Sequence, residues 1–302
     1  MRRLLRDPLL LLGGLFLLGL LLFAIFVPTI RTAQLQPPNE PRFEAVFSPI
    51  GKPFLTPGQG GATLGTDDIG RDVLARLAQG ARVSLVVGVV VQIFALAIGM
   101  LFGVLGVFAP GWIRQPVLRL TDAMFAFPDI LLAILLVATL SPQALVGFLP
   151  FLSGVPDEWI GILPVIVALS VTAWPSIARL VRVQVASVKD REFVVAARAA
   201  GASTPYLVMK HILPQVLPLI LAVSMVEMAG TVLAESALSF IGIGVQAPNP
   251  SWGNMINNAR SGDITAHVTL LFLPCVLLSL TIFALNFVGD GLQALFDPKA
   301  RG

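Results

Sequence analysis

The chain has 302 residues, of which 56% are hydrophobic and only 12% are charged. An average soluble domain has about a quarter of its residues charged, so this composition excludes an ordinary soluble globular protein and indicates a membrane protein. The net charge of +3 does not indicate nucleic-acid binding, because the basic residues flank apolar runs and form no cluster interleaved with aromatic side chains.

The few thiol and imidazole groups limit the chemistry of the chain. Cys275 is the only cysteine, so neither a disulfide framework nor a CxxC metal site is possible. Two histidines, His211 and His267, are too few for a His-rich metal cluster. The Walker A pattern GxxxxGK[ST] does not occur in the sequence. We therefore expect no catalytic site, no metal site, no cofactor bound by this chain and no nucleotide site of its own.

Residues 1–31 predict a transmembrane helix. Arg2, Arg3 and Arg6 precede an apolar run from Pro8 to Ile30. A run of about 20 apolar residues is too long for the core of a signal peptide, and no A-x-A cleavage site follows it. An uncleaved helix with its basic N-terminus in the cytoplasm is therefore favoured over a signal peptide.

Residues 32–82 are predicted to form an extracytoplasmic segment. Prolines and glycines deny it regular structure as far as Thr63. From Leu64 onward the pattern predicts an amphipathic helix on the membrane surface, capped by Asp67 or Asp68. Its apolar side consists of Val73, Leu74, Leu77 and Ala81, and its polar side of Arg71, Asp72, Arg76 and Gln79.

The acidic residues of the same segment allow a second interpretation. Asp67, Asp68 and Asp72 could form a divalent-cation site. This is the less favoured alternative, because Arg71 compensates the charge and the spacing is not that of a calcium-binding loop.

Five further apolar runs predict transmembrane helices in residues 83–302. They are residues 83–109, 117–140, 159–180, 215–238 and 268–289. With the N-terminal helix they give an all-α polytopic membrane protein with about six spans. Lysine and arginine residues are concentrated in the loops that this topology places inside, as the positive-inside rule requires. Both termini are then cytoplasmic, and so is a polar loop at residues 189–214.

This polar loop has a strict pattern of helix, turn and helix. Residues 192–200 are good helix formers, and Gly201 supplies the left-handed residue that commonly ends a helix. Ser203 or Thr204 then caps a second helix, which Pro214 closes.

The first of these two short helices has one face suited to docking. Phe193, Ala197 and Ala200 share this face according to the helical period. An ordinary amphipathic helix at the membrane surface is the alternative on this pattern alone.

The spacing of five residues in the loop decides between these alternatives. Ala196, Ala197, Gly201, Leu213 and Pro214 resemble the cytoplasmic signature loop of the inner-membrane subunits of binding-protein-dependent ABC importers. The resemblance implies that the loop is a coupling helix, which fits into a cleft on a separate ATPase subunit.

The loop departs from the family pattern at two positions. Val195 stands where a Glu is usual, and His211 stands where an Ile is usual. Glu192 is the nearest carboxylate to the missing Glu. We therefore include Glu192 and Arg198 among the residues expected to contact the ATPase.

Two further motifs resemble the dipeptide, oligopeptide and nickel permeases within this family. LGTD-x-x-GRD occupies residues 64–72, and E-S-x-L-S-F-x-G-x-G-V-Q-x-P-x-P-S-W-G occupies residues 235–253. The resemblance implies a permease core in residues 83–302, which forms half of a translocation pathway in a bacterial inner membrane. It also implies a second, related permease subunit, two ATPase subunits that bind ATP and magnesium, and an extracytoplasmic substrate-binding protein. The substrate is not specified: dipeptide, oligopeptide, nickel and other small solutes all fit.

Acidic residues within the predicted spans are the last signal. Carboxylates at membrane depth are costly and usually face protein or a water-filled cavity. We expect Glu227 and Glu235, with Ser236 and Ser239, to line the translocation pathway or form an outer gate. The alternatives are a proton relay, which would indicate a proton-coupled secondary transporter or a channel, and acids that bond Ser, Thr or backbone groups beside helix kinks.

Two smaller predictions concern other residues of the spans. Asp122 and Asp129, seven residues apart in the third span, leave an aspartyl intramembrane protease open, although nothing else supports that class. Gly242 and Gly244 are expected to break the fifth span, and Trp252 is expected to lie at the membrane interface.

Overall fold

A computed structural model describes residues 7–35, 57–58, 61–67, 70–148, 150–246, 249–261 and 268–296. Within these ranges the chain is helical, which confirms the predicted all-α class. The helices are α1 (Pro8–Leu35), α2 (Val73–Phe108), α3 (Gly111–Met124), α4 (Asp129–Thr139), α5 (Pro142–Phe148), α6 (Leu163–Val188), α7 (Glu192–Ala199), α8 (Thr204–Ile241), α9 (Trp252–Ser261) and α10 (Val268–Phe296). A 3-10 turn at Pro150–Gly154 and a one-turn helix at Asp157–Ile160 connect α5 to α6.

Five of the described helices are long and apolar enough to cross a membrane: α1, α2, α6, α8 and α10. A sixth crossing would be the bent pair of α3 and α4, whose axes differ by 92°. The span predicted at residues 117–140 is therefore broken between α3 and α4 and is not one continuous helix. Pro128 is the reason, because it disfavours a helical conformation at Phe127 and cannot continue the hydrogen-bond ladder of α3.

The relative direction of α2 and α6 decides whether the bent pair crosses. A Cβ atom added at Gly99 would lie 2.6 Å from Ile177, and one added at Gly103 would lie 2.6 Å from Val181. Because both contacts advance in the same chain direction, α2 and α6 are parallel neighbours. The chain between them must therefore cross back, and α3 and α4 together provide that crossing.

The other helices alternate in direction around this pair. Gly88 of α2 lies against Met228 and Val232 of α8, whereas Gly80 lies against Trp252, which follows α8 in the chain; α2 and α8 are thus antiparallel. Gly13 of α1 lies against Ala284 of α10, and Gly291 of α10 lies against Leu10 of α1, so these two helices are antiparallel as well. Six alternating crossings place both ends of the described chain and the turn between α6 and α8 on one side, called the loop side below.

Helix α2 differs from the prediction at its start. The expected surface helix within residues 64–82 and the span expected from residue 83 form one helix of 36 residues, with Asp72 as its N-cap. The Asp72 carboxylate accepts a hydrogen bond from the Leu74 amide at 3.1 Å. No proline interrupts this stretch, and its apolar side packs against α1 and α9 instead of lying on a membrane surface. At about 1.5 Å per residue, α2 is about 54 Å long and exceeds a bilayer core of about 30 Å.

Helix α8 also extends beyond its predicted boundary. Pro214 was expected to close a short helix, but the helix continues from Thr204 to Ile241. A stretch of π-helix at Leu207–Ile212 ends two residues before Pro214. Wider turns of this kind relieve the contact between a proline ring and the carbonyl one turn before it, which explains why the helix is not broken.

Candidate functional site

The turn between α6 and α8 has a fixed geometry that depends on Gly201. This residue has a φ of 91°, in the left-handed region. The Gly201 amide donates to the Arg198 carbonyl at 3.0 Å, and the Ala202 amide donates to the Ala197 carbonyl at 3.1 Å. These two bonds form a Schellman motif that ends α7. The prediction that Gly201 ends the first helix of the loop is confirmed.

The faces of α7 differ from the predicted ones. Val194 is fully buried, and Ala197 packs against the same apolar cluster. Phe193 and Val195 are exposed, with 41% and 49% of their surface accessible. The expected common face of Phe193, Ala197 and Ala200 is therefore divided, because Ala197 lies on the inward side. The exposed apolar row is Phe193, Ala196 and Ala200, and the charged side chains of Glu192 and Arg198 are exposed as well.

Helix α7 is held firmly against the start of α8. Leu207, Val208 and Ile212 are buried in the same cluster as Val194. Leu213 packs on the edge of this cluster, whereas Pro214 is exposed. The loop is thus a short helical projection on the loop side, packed against α8, which we call the α7 knob (residues 192–201).

A cavity of about 380 Å³ lies between the α3–α4 bend, α6 and α8. It is lined by Met124, Phe125, Asp129, Leu169, Thr172, Ala173, Pro175, Ser176, Glu227, Gly230, Thr231 and Ala234. Glu227 was predicted to face such a space, and the structure places it there. Asp129, in the first turn of α4, lines the same cavity.

Glu235 lies in a different environment from Glu227. It is completely buried, and its carboxylate accepts hydrogen bonds from the hydroxyls of Ser84 at 2.9 Å and Ser239 at 2.8 Å. A longer bond of 3.4 Å comes from Ser236. The Ser239 oxygen also accepts a bond from the Val245 amide at 3.0 Å. This group, here called the serine cage, ties α2 to the end of α8 and to the chain beyond it.

The predicted pathway residues therefore do not form one site. Glu235, Ser236 and Ser239 lie together, but they are absent from the lining of the cavity that holds Glu227. The alternative of an acid bonded to serine groups beside a helix break describes the surroundings of Glu235. The break is at Gly242, whose φ is 93° and which ends α8, as predicted. Gly244 permits a close approach, because an added Cβ atom would collide with the Ser239 backbone.

Sequence reasoning missed the contacts that fix the α3–α4 bend. Arg179 of α6 lies 3.6 Å from Asp122 and stacks over the ring of Phe125 at 3.8 Å from its centroid. Asp122 and Asp129 are on different helices, so the spacing within one straight helix on which an aspartyl pair was considered does not exist. The available signal for this contact was Arg179 at the end of a predicted apolar run.

Trp252 has contacts that sequence reasoning missed. Its side chain is fully buried and donates from Nε1 to the Leu77 carbonyl at 3.1 Å, while its expected depth at the membrane interface stays a prediction. Gly80 provides the space, because an added Cβ atom would lie 2.9 Å from the indole ring. This packing explains why the first turns of α2 are buried.

The acidic segment before α2 is compensated by arginines. Asp67 lies 2.6 Å from Arg71 and 3.5 Å from Arg76, which is buried and does not point away as predicted. Asp72 caps α2, and Asp68 lies outside the described residues. Among the residues that the structure describes, no group of three His, Cys, Asp or Glu side chains could hold a metal ion. The less favoured cation site thus gains no support.

Comparison with known proteins gives consistent results. The family described as "Binding-protein-dependent transport system inner membrane component" matches residues 95–302. The Bacillus subtilis (strain 168) dipeptide transport system permease protein DppC is 37% identical over 237 residues, which cover 78% of this chain and 68% of that protein. The Pseudomonas aeruginosa (strain UCBPP-PA14) di/tripeptide transport system permease protein DppC is 33% identical over 291 residues, covering 96% and 88%.

Two further similarities extend this comparison. The Escherichia coli O6:K15:H31 (strain 536 / UPEC) glutathione transport system permease protein GsiD is 35% identical over 238 residues, covering 79% of this chain and 72% of that protein. Among solved structures, an inward-facing form of the MetNI methionine ABC transporter aligns with a TM-score of 0.54 and 21% identity. The alignment covers 74% of this chain and 96% of the MetNI chain, and it supports the fold.

Proposed function

The chain belongs to the family of binding-protein-dependent transport system inner membrane components, and we propose that it forms half of the translocation pathway for small peptides. It is a multi-pass permease subunit of an ABC importer. Relatives named for dipeptide, di/tripeptide and glutathione transport favour a small peptide as the solute. The cavity between the α3–α4 bend, α6 and α8, with its two carboxylates, is the observation that carries the pathway assignment.

The proposed partners follow from the same architecture. One cavity with Asp129 exposed at its wall is suited to face a second, related permease subunit, which would complete the pathway. We expect two ATPase subunits to bind ATP and magnesium, and an extracytoplasmic binding protein to deliver the solute. In this arrangement the chain itself hydrolyses no ATP.

The α7 knob is the proposed contact with an ATPase subunit. It presents Phe193, Ala196 and Ala200 together with the charges of Glu192 and Arg198. In this role the contact residues are the exposed ones. Three other predicted residues would act by positioning the knob: Ala197, Gly201 and Leu213. Pro214 lies exposed at the base of the knob.

The orientation in the membrane is part of the proposal. The loop side carries both ends of the described chain and the α7 knob, and the basic residues of the predicted inner loops lie in the same regions. The loop side is therefore assigned to the cytoplasm, where an ATPase could reach it. The serine cage then lies near the extracytoplasmic surface.

The test is solute uptake into vesicles that contain the complete importer. We expect uptake of a labelled dipeptide. It should require ATP on the side of the membrane where the ATPase subunits lie and the binding protein on the opposite side. Ala196→Arg, which adds bulk and charge to the exposed row, should abolish co-purification of the ATPase. Gln115→Arg on the exposed side of α3 adds the same charge away from the knob and is the matched control. Uptake driven by a proton gradient without ATP would overturn the assignment.

A further inference from the structure

The cavity between the α3–α4 bend, α6 and α8 contains two carboxylates without a counter-charge. Asp129 and Glu227 come from different helices and line the same space. No lysine, arginine or histidine is among the described residues of the lining. In the described part of the chain, neither carboxylate lies within 4.0 Å of a basic group, whereas Asp67 and Asp122 each pair with an arginine. Carboxylates within membrane helices are normally paired or face a polar ligand path.

The hydroxyl groups of the cavity are committed as donors to their own helices. Thr172 donates to the Leu169 carbonyl at 3.2 Å. Thr231 donates to the Glu227 carbonyl at 3.1 Å. Each hydroxyl has one hydrogen and two lone pairs, so these side chains offer the cavity only acceptors.

Ser176 completes this acceptor lining. Its hydroxyl donates to the Ala173 carbonyl at 3.0 Å, and the Glu227 carboxylate is a second acceptor for the same hydrogen. With either acceptor, the hydroxyl hydrogen of Ser176 is bonded to a group of the cavity wall and is not offered to a ligand. The remaining lining side chains are apolar. The described wall thus combines two carboxyl groups with hydrogen-bond acceptors, and its hydroxyl groups present no donor to a ligand.

A ligand that satisfies such a wall must bring donors and positive charge. A protonated amine has three N–H donors and one positive charge, whereas a carboxylate would meet like charge and no donor. A transition-metal ion is a poorer match, because no group of three metal-ligating side chains occurs among the described residues. The volume of about 380 Å³ lies within the usual range for small-molecule sites.

We propose that Asp129 and Glu227 make this cavity selective for solutes that carry a protonated amine, and that they disfavour anionic solutes during translocation. This inference rests on the proposed peptide permease function and adds a charge preference to the pathway itself. It is separate from the preference of the binding protein. Among small peptides, those with lysine side chains would pass more readily than those with glutamate side chains.

The test compares uptake of alanyl-lysine with uptake of alanyl-glutamate into vesicles containing the complete importer and saturating binding protein. Asp129→Asn, Glu227→Gln and the double variant are each compared with the unchanged chain. Because the binding protein is the same throughout, its own preference cancels when the ratio of the two uptake rates is compared between variants. Asp290→Asn is the control, since this exposed carboxylate on α10 lies outside the cavity.

We expect the ratio of alanyl-lysine uptake to alanyl-glutamate uptake to fall about fivefold for each single variant. This is the size of effect expected when one partly exposed charge pair is lost. The control should leave the ratio unchanged. An unchanged ratio in the double variant, or an equal loss of both peptides, would overturn the proposed selectivity. If the double variant does not assemble, Asp129→Asn decides, because this side chain is exposed and has no buried bond to lose. Absence of ATP-dependent uptake of either peptide by the unchanged importer would instead refute the peptide permease function.

Discussion

Replacement of Gly201 tests whether the direction of the α7 knob matters for function. The residue has a φ of 91°, and no atom lies within 4 Å of the position that a Cβ atom would occupy. A substitution there would cause no collision, so its cost is backbone strain alone. For a residue with a β-carbon this strain is about 1–2 kcal/mol, which changes an equilibrium between turn conformations by about 5- to 30-fold. Valine should be at the upper end, because β-branched residues tolerate positive φ poorly.

We expect Gly201→Val to insert in the membrane normally and to lose most of its ATPase binding. Turn conformations that present Ala196 and Phe193 in the wrong direction would be favoured by this factor of about 5 to 30. Gly201→Asn is the matched control, because asparagine tolerates the left-handed region and should retain most binding. The assay is co-purification of the ATPase, with solute-stimulated ATP hydrolysis in vesicles. If Gly201→Val keeps full binding and coupled hydrolysis, the knob is not the coupling element.

Three other predictions concern orientation, the serine cage and helix packing. In a Cys275→Ser background, an impermeant thiol reagent applied to intact cells should label Asn258→Cys but not Ser203→Cys; labelling of Ser203→Cys would reverse the assigned orientation. Glu235→Ala should lower the free energy of unfolding by about 2–4 kcal/mol, because the buried hydroxyls of Ser84 and Ser239 lose their acceptor, and Glu235→Gln should lower it by less. Unchanged thermal unfolding in detergent with lost transport would indicate a gate instead. Gly103→Leu should lower the free energy of unfolding by at least about 1–3 kcal/mol, because an added Cβ atom would lie 2.6 Å from Val181. Gly14→Leu is its control, because nothing lies within 4 Å of the position of a Cβ atom there. Equal unfolding temperatures for the two variants would contradict the close α2–α6 contact.

Some features of the fold could be predicted because they depend on local chemistry. The ends of α7 and α8 at Gly201 and Gly242 follow from the tolerance of glycine for positive φ, which no neighbour in space has to supply. The long apolar runs gave the spans for a similar reason, since bilayer thickness fixes their length. In each case the sequence near the feature contains the whole cause.

Other features depend on partners that are distant in the sequence. The stripe of Val73, Leu77 and Ala81 is equally suited to a surface helix and to the first turns of a span. Packing by Trp252, 175 residues after Leu77 in the chain, distinguishes the two. Likewise, the short helix α7 could bury either side, and contact with Leu207 decides that Val194 faces inward.

The candidate site was predicted only in part for the same reason. Glu227 and Glu235 are both acids in one apolar run, and their spacing does not reveal which one has hydroxyl partners. Ser84, which bonds Glu235, lies 151 residues away in the chain. Asp129 and Glu227 meet in one cavity only because Pro128 turns the chain by 92° between α3 and α4.

The length of α8 has a mechanical consequence. This helix of 38 residues is about 57 Å long, with the α7 knob packed at its beginning and the serine cage at its end. Its π-helical stretch and its three prolines, Pro205, Pro214 and Pro218, lie near the knob, and no proline follows as far as Ile241. A tilt of about 5° about its midpoint would displace each end by about 2.5 Å in opposite directions, an amplitude comparable to helix shifts in known switches. The helix can therefore act as a lever, so that a push on the knob at one membrane face becomes an opposite displacement of the serine cage at the other.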